Sequence, residues 1–87
     1  MRVYPNPLNA VTNIVVELAT SSNVKIDIYD VNGKHVDTVW QGSMASGTRT
    51  FSWDARDGLR QRLASSVYFV RAESNGVLTA VKLVVVR

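Results

Sequence analysis

The sequence predicts an all-β fold, an antiparallel β-sandwich of about seven strands. Three observations carry this. Helix signals are nearly absent, and β-branched residues in period-2 alternation run through most of the chain. Two Asn-Gly pairs, Asn32-Gly33 and Asn75-Gly76, lie between alternating apolar runs, which is the short-range signature of a hairpin. Turn signals recur at short intervals, as they do between the strands of a sandwich.

The chain begins with a proline-rich stretch, Tyr4-Pro5-Asn6-Pro7. Proline lacks the N–H a ladder needs and pushes the residue before it into extended backbone, so this is no central strand. It is neither Gly/Ser-rich nor a long proline run, so it is no flexible linker. It reads as a stiff first edge entering the sandwich at one end, with the Tyr4 ring tucked against the core rim.

In residues 13–19, Ile14, Val16 and Leu18 share one face, with Val15 and Glu17 on the other. In residues 23–30 the alternation is cleaner: Val24, Ile26 and Ile28 against Lys25, Asp27 and Tyr29. Asn32-Gly33 then predicts a type I′ turn, with positive φ at both residues. Residues 35–42 form the return strand. Residues 47–54 place Phe51 and Trp53 together on one face. A polar loop leads to residues 66–74, and Asn75-Gly76 joins these to residues 77–87. The last strand is apolar on both faces: Val81, Leu83 and Val85 on one, Val84 and Val86 on the other. Such a strand is buried on both sides or meets a partner. Lys82 and Arg87 are charged gatekeepers against edge aggregation.

The chain has 87 residues, enough for one domain spanning residues 1–87. With 46% hydrophobic and 20% charged residues its composition is globular, not disordered. It has no cysteine, which leaves its compartment undecided. No stretch approaches the roughly 20 apolar residues of a membrane span. No secretory leader pattern is present, so the leader of an exported protein would lie upstream. The net charge of +3 is scattered, with one local basic cluster at residues 56–62. That is a solvated loop rather than the concentrated stripe of a nucleic-acid binder.

Catalysis and cofactors find little footing. His35, the one histidine, follows a turn and reads as a solvated strand-entry residue. No serine sits in a G-x-S-x-G elbow, and no His/Cys pair has metal spacing. Asp54 with Asp57, and Asp30 with Asn32, fall short of the six to eight oxygens of a calcium site. They read as turn residues bonding their own backbone. No cofactor is expected. The aromatics Trp40, Phe51, Trp53, Tyr68 and Phe69 would have to be exposed to form a sugar platform. A domain this small needs most of them inside. Trp53 belongs to the core, and Trp40 is the ring expected at the surface if any is.

Taken in order, the "YPNP" opening, "YDVNGK", the "WDARD" turn, the "VYFVR" strand and the terminal "VKLVVVR" resemble one family over nearly the whole chain. It is the type IX secretion system C-terminal sorting domain, type A. The chain equally resembles the related immunoglobulin-like domain of the flagellar hook-capping protein. The resemblance implies an immunoglobulin-like sandwich at the C-terminus of a secreted bacterial protein. It implies passage through the periplasm and an outer-membrane translocon, removal by a sortase-like peptidase, and attachment of the upstream cargo at the cell surface. It places the export signal in the last two strands and points there to Tyr68, Lys82 and Arg87; Lys82 and the last five residues, Leu83, Val84, Val85, Val86 and Arg87, are expected to matter for export more than for folding. Ser66 departs from the family's usual glycine before the hydrophobic-Tyr pair, and a positive φ there would be strained. The bulky basic loop at residues 57–66 departs too. Two other readings stand beside this one: an assembly module that self-associates, for instance through its C-terminal edge strand, and a carbohydrate-binding module of a hydrolase.

Overall fold

Seven antiparallel strands in two sheets account for the apolar alternation of the sequence. The computed structural model describes residues 1–8 and 10–86. The strands are β1 (Arg2–Tyr4), β2 (Thr12–Leu18), β3 (Ser22–Asp30), β4 (His35–Met44), β5 (Gly47–Trp53), β6 (Ser66–Ser74) and β7 (Val77–Val85). One sheet has the order β1-β2-β5 and the other β4-β3-β6-β7. The facing sides of the two sheets form the core, with Ile14, Val16, Ile26, Ile28, Phe51, Trp53, Val70 and Leu83 among its buried residues. Val15 is buried as well, on the opposite side of β2, where the ladder sets it between Arg2 and Thr50.

The two hairpin signals resolve differently. Asn75 and Gly76 both have positive φ (51° and 77°), the type I′ turn the sequence predicts. At the other turn only Gly33 is left-handed, with φ 80°. Gly33 N donates to Asp30 O at 3.1 Å and Asp30 N to Lys34 O at 2.9 Å, which makes a three-residue loop with a glycine bulge. The cause is Asp30. Its Oδ1 accepts from the N–H groups of Asn32 and Lys34, both at 2.9 Å, and this side-chain cap holds Asn32 in an ordinary right-handed turn. Asp57 acts the same way in the basic loop, accepting from Leu59 N and Gln61 N at 2.9 Å. Asp54 is engaged by the guanidinium groups of Arg56 and Arg60.

Ser66 lies in β6 opposite Val85 and is not among the residues with positive φ, so the strain anticipated there is absent. Trp53 is buried, and its Nε1 donates to Asp37 Oδ2 at 3.0 Å. Trp40 is half-buried rather than open: it leans on Phe51, and the Arg49 guanidinium lies 4.2 Å from its ring centroid on the solvent side. With Phe51, Trp53 and Tyr68 in the core, the five aromatics do not assemble into a platform. Among the described residues no helix is long and apolar enough to cross a membrane.

Candidate functional site

The last strand and what lies against it form the candidate site. β7 ends the order of its sheet, so one side of its backbone pairs with β6 and the other faces outward. Its register with β6 runs without a shift from Ser74↔Val77 to Ser66↔Val85. In such a ladder the backbone groups alternate between the two sides. The N–H and C=O of Val84 both bond outward, so those of Leu78 and Ala80 point outward as well.

The C-terminal half of that edge is closed by the chain's own N-terminus. After β1 the backbone turns through Pro5, Asn6 and Pro7, and the Tyr4–Pro5 and Asn6–Pro7 bonds are both cis. Thr12 Oγ1, fully buried, holds the turn by donating to Pro5 O at 2.9 Å. Asn6 then imitates a strand residue with its side chain. Its Nδ2 donates to Lys82 O at 2.8 Å, and its Oδ1 accepts from Val84 N at 3.0 Å. Leu8 continues with its backbone: Leu8 N donates to Val84 O and Val86 N donates to Leu8 O, both at 2.8 Å, in a parallel bridge. The Leu8 side chain is completely buried in the core. From Lys82 O to Val86 N the outer edge is therefore satisfied. Above it, no strand pairs with the outer side of Leu78 and Ala80 among the described residues.

The residues singled out in the sequence separate into two groups. Tyr68, Leu83 and Val85 are core: Leu83 is 0% and Val85 1% exposed. Tyr68 faces Leu83 across the ladder, and its hydroxyl donates to Ala64 O at 2.8 Å. That hydroxyl bonds four residues upstream at the strand corner, as in the tyrosine corner of immunoglobulin-type sandwiches. Lys82 and Val86 are exposed and Val84 is half-buried, on the opposite side of β7. The second apolar face of the strand is thus only partly covered, with Val84 beside Val67 and Lys82 beside Phe69. Arg87 lies outside the described residues.

The outer face of the large sheet continues from Lys82 through Phe69 to Tyr29 in one row. Arg71 lies over the Tyr29 ring at 5.2 Å, and His35 meets that ring edge-on at 5.5 Å. Asp27 is buried on this face and accepts from Thr38 Oγ1 at 2.8 Å, with His35 Nε2 at 2.9 Å. His35 is half-exposed at the strand entry, where the sequence puts it.

Sequence reasoning missed Asn6 and Leu8. It treated the proline segment as an entry and the last strand as a separate edge. One signal was available: an edge strand rich in valine needs a cover, and the lone Leu8 after two prolines is the apolar residue that supplies it.

Tyr4 does not tuck its ring inward as anticipated. It is 49% exposed, and Arg2 sits 6.0 Å from its centroid. The ladder explains this: Val3, opposite Ile14, packs against the core, so its neighbours Arg2 and Tyr4 point away.

Comparison with known proteins agrees with the fold. The chain is similar to dimeric latent PorU from Porphyromonas gingivalis, with a TM-score of 0.80 and 24% identity over 98% of this chain and 9% of that one. It is similar to PorZ, described as an essential bacterial surface component of the type IX secretion system of Porphyromonas gingivalis, with a TM-score of 0.65 and 24% identity over 99% of this chain and 11% of PorZ. It is also similar to FlgD from P. aeruginosa, with a TM-score of 0.67 and 25% identity over 85% of this chain and 58% of FlgD. No curated protein matches. The chain thus spans about a tenth of the length of PorU and PorZ. Residues 2–87 match the family described as the secretion system C-terminal sorting domain. The chain belongs to that family, the sorting domains that direct proteins through the type IX system to the cell surface or the medium.

Proposed function

We propose that this domain is the non-catalytic tail of an exported protein and that the type IX translocon reads it, already folded, through the free edge of β7. The observation that carries this is the divided edge: closed by Asn6 and Leu8 from Lys82 O to Val86 N, with no strand paired at Leu78 and Ala80 among the described residues. An unpaired strand edge accepts an extended peptide by main-chain hydrogen bonding, with side chains setting selectivity. Lys82 borders the opening with a charge, and Val84 and Val86 continue the same face of the chain beyond it as an apolar strip. Tyr68, Leu83 and Val85 serve the signal by holding β7 in place, and Arg87 belongs to the same signal by its sequence. A sortase-like peptidase then separates the domain from its upstream cargo. Any enzymatic activity belongs to that cargo.

The test is an export assay. A fluorescent reporter with a signal peptide is joined to this domain in a host with a type IX system. Ala80→Pro removes one outward N–H, and proline is tolerated on a strand edge. Ala80→Pro and Lys82→Ala should melt close to the parent and leave the reporter in the periplasm. Normal surface or medium signal from both variants would overturn the reading.

Self-association through the same edge is the second reading. The likeness to PorU, whose structure is described as dimeric and latent, favours testing it. A mass that rises with concentration in light scattering, and that Ala80→Pro abolishes, would support it.

A further inference from the structure

The sandwich is incomplete at the end away from the cis-proline turn. β1 has only three residues, paired Arg2↔Val15, Val3↔Ile14 and Tyr4↔Asn13, while β2 continues to Leu18. Beyond β1 the two sheets part over a cleft of about 370 Å³, lined by Met1, Val16 and Leu18 on one side and Ala72, Val77 and Thr79 on the other. Met1 packs against the core and Leu18 is only half-buried.

From this geometry we infer that the polypeptide leading from a cargo into this domain lengthens β1 along β2 and fills the cleft. The inference rests on membership of a C-terminal domain family, in which chain precedes the domain, and not on the translocon reading. The register fixes the details. Continued by one step it sets Met1 opposite Val16, on the inward side with Val3. The residue immediately before Met1 then falls opposite Glu17 and faces outward, because successive side chains of a strand alternate. The second residue before Met1 falls opposite Leu18 and faces into the cleft. Its side chain meets Leu18 and Val77 and shields both from water. The cleft takes an aliphatic residue at that one position and is indifferent to its neighbour. Partner and site are therefore parts of one continuous sheet, and the cargo leaves the domain from a paired strand rather than a loose tether.

Two extended forms of the chain test this with identical composition. One carries Gly-Val-Thr before Met1, so that valine faces the cleft. The other carries Gly-Thr-Val, so that threonine does. The Gly-Val-Thr form should melt at least about 4 °C above the swapped form. Hydrogen exchange should slow at a backbone amide within residues 16–18 relative to the unextended chain. Equal melting of the two forms, or unchanged exchange in both, would overturn the inference. So would a melt that depends on protein concentration, since a second copy would then be filling the cleft. None of these readouts depends on export, so the inference and the translocon reading fail separately.

Discussion

Replacing Asn6 by alanine removes two hydrogen bonds from the outer edge of β7, one donated to Lys82 O and one accepted from Val84 N. Both groups become open to water, so the loss lies at the lower end of what a hydrogen bond contributes, about 0.5–1 kcal/mol each. The sum is roughly 1–2 kcal/mol, and for a domain of this size each kcal/mol moves Tm by about 4–8 °C. Asn6→Ala should therefore lower Tm by roughly 4–16 °C in a circular-dichroism melt. Hydrogen exchange gives the sharper readout. The Val84 amide, capped by Asn6 Oδ1, should lose protection, while the Val86 amide, held by Leu8 O, should keep more of its own. Asn6→Asp separates the two bonds. It keeps an acceptor for Val84 N but places a carboxylate against Lys82 O, so Val84 should stay protected while Tm still falls. Unchanged Tm and unchanged Val84 exchange in Asn6→Ala would refute the idea that this side chain stands in for a strand residue.

Leu83→Ala opens a cavity at a fully buried site and should cost about 2–5 kcal/mol, measured by urea denaturation. A stable Leu83→Ala domain would contradict its place in the core. Tyr68→Phe keeps the ring and strips the hydroxyl from Ala64 O, so a loss of about 1 kcal/mol in the same assay is expected. Gly76→Ala forces a Cβ into a backbone with φ 77° and open space around it, so the cost is conformational alone, about 1 kcal/mol by thermal melt.

The strands were legible because each has one dry face and a period of two, and that pattern survives without knowledge of neighbours. Phe51 and Trp53, two residues apart, announced a shared core face and occupy it. What failed needed information from elsewhere in the chain. The Asn32-Gly33 pair has the composition of a type I′ turn, but the Asp30 carboxylate outweighs it by capping two N–H groups at once. Trp40 was the ring expected at the surface if any was, and it is half-buried because Arg49, on β5 of the other sheet, lies over it. The proline segment was placed correctly at an edge, yet its contact with β7 joins residues 76 and 78 positions apart, and no local pattern encodes that.

That long-range contact changes how the C-terminal signal can be studied. Expecting the last residues to serve export apart from folding suggests deleting them. Deleting residues 83–87 would remove two completely buried side chains, the ladder partners of Ser66 and Tyr68, and the anchors of Asn6 and Leu8. Losses of 2–5 kcal/mol at Leu83 alone approach the whole stability of a small domain, about 5–15 kcal/mol. Such a deletion should abolish the cooperative melt whatever the translocon reads, and a loss of export then carries no information about recognition. Only groups that point away from the core separate the two roles: the Lys82 ammonium, the Val84 and Val86 side chains, and the open backbone at Leu78 and Ala80. A variant there that melts like the parent and stays in the periplasm isolates recognition, because the core residues that hold β7 in place are untouched.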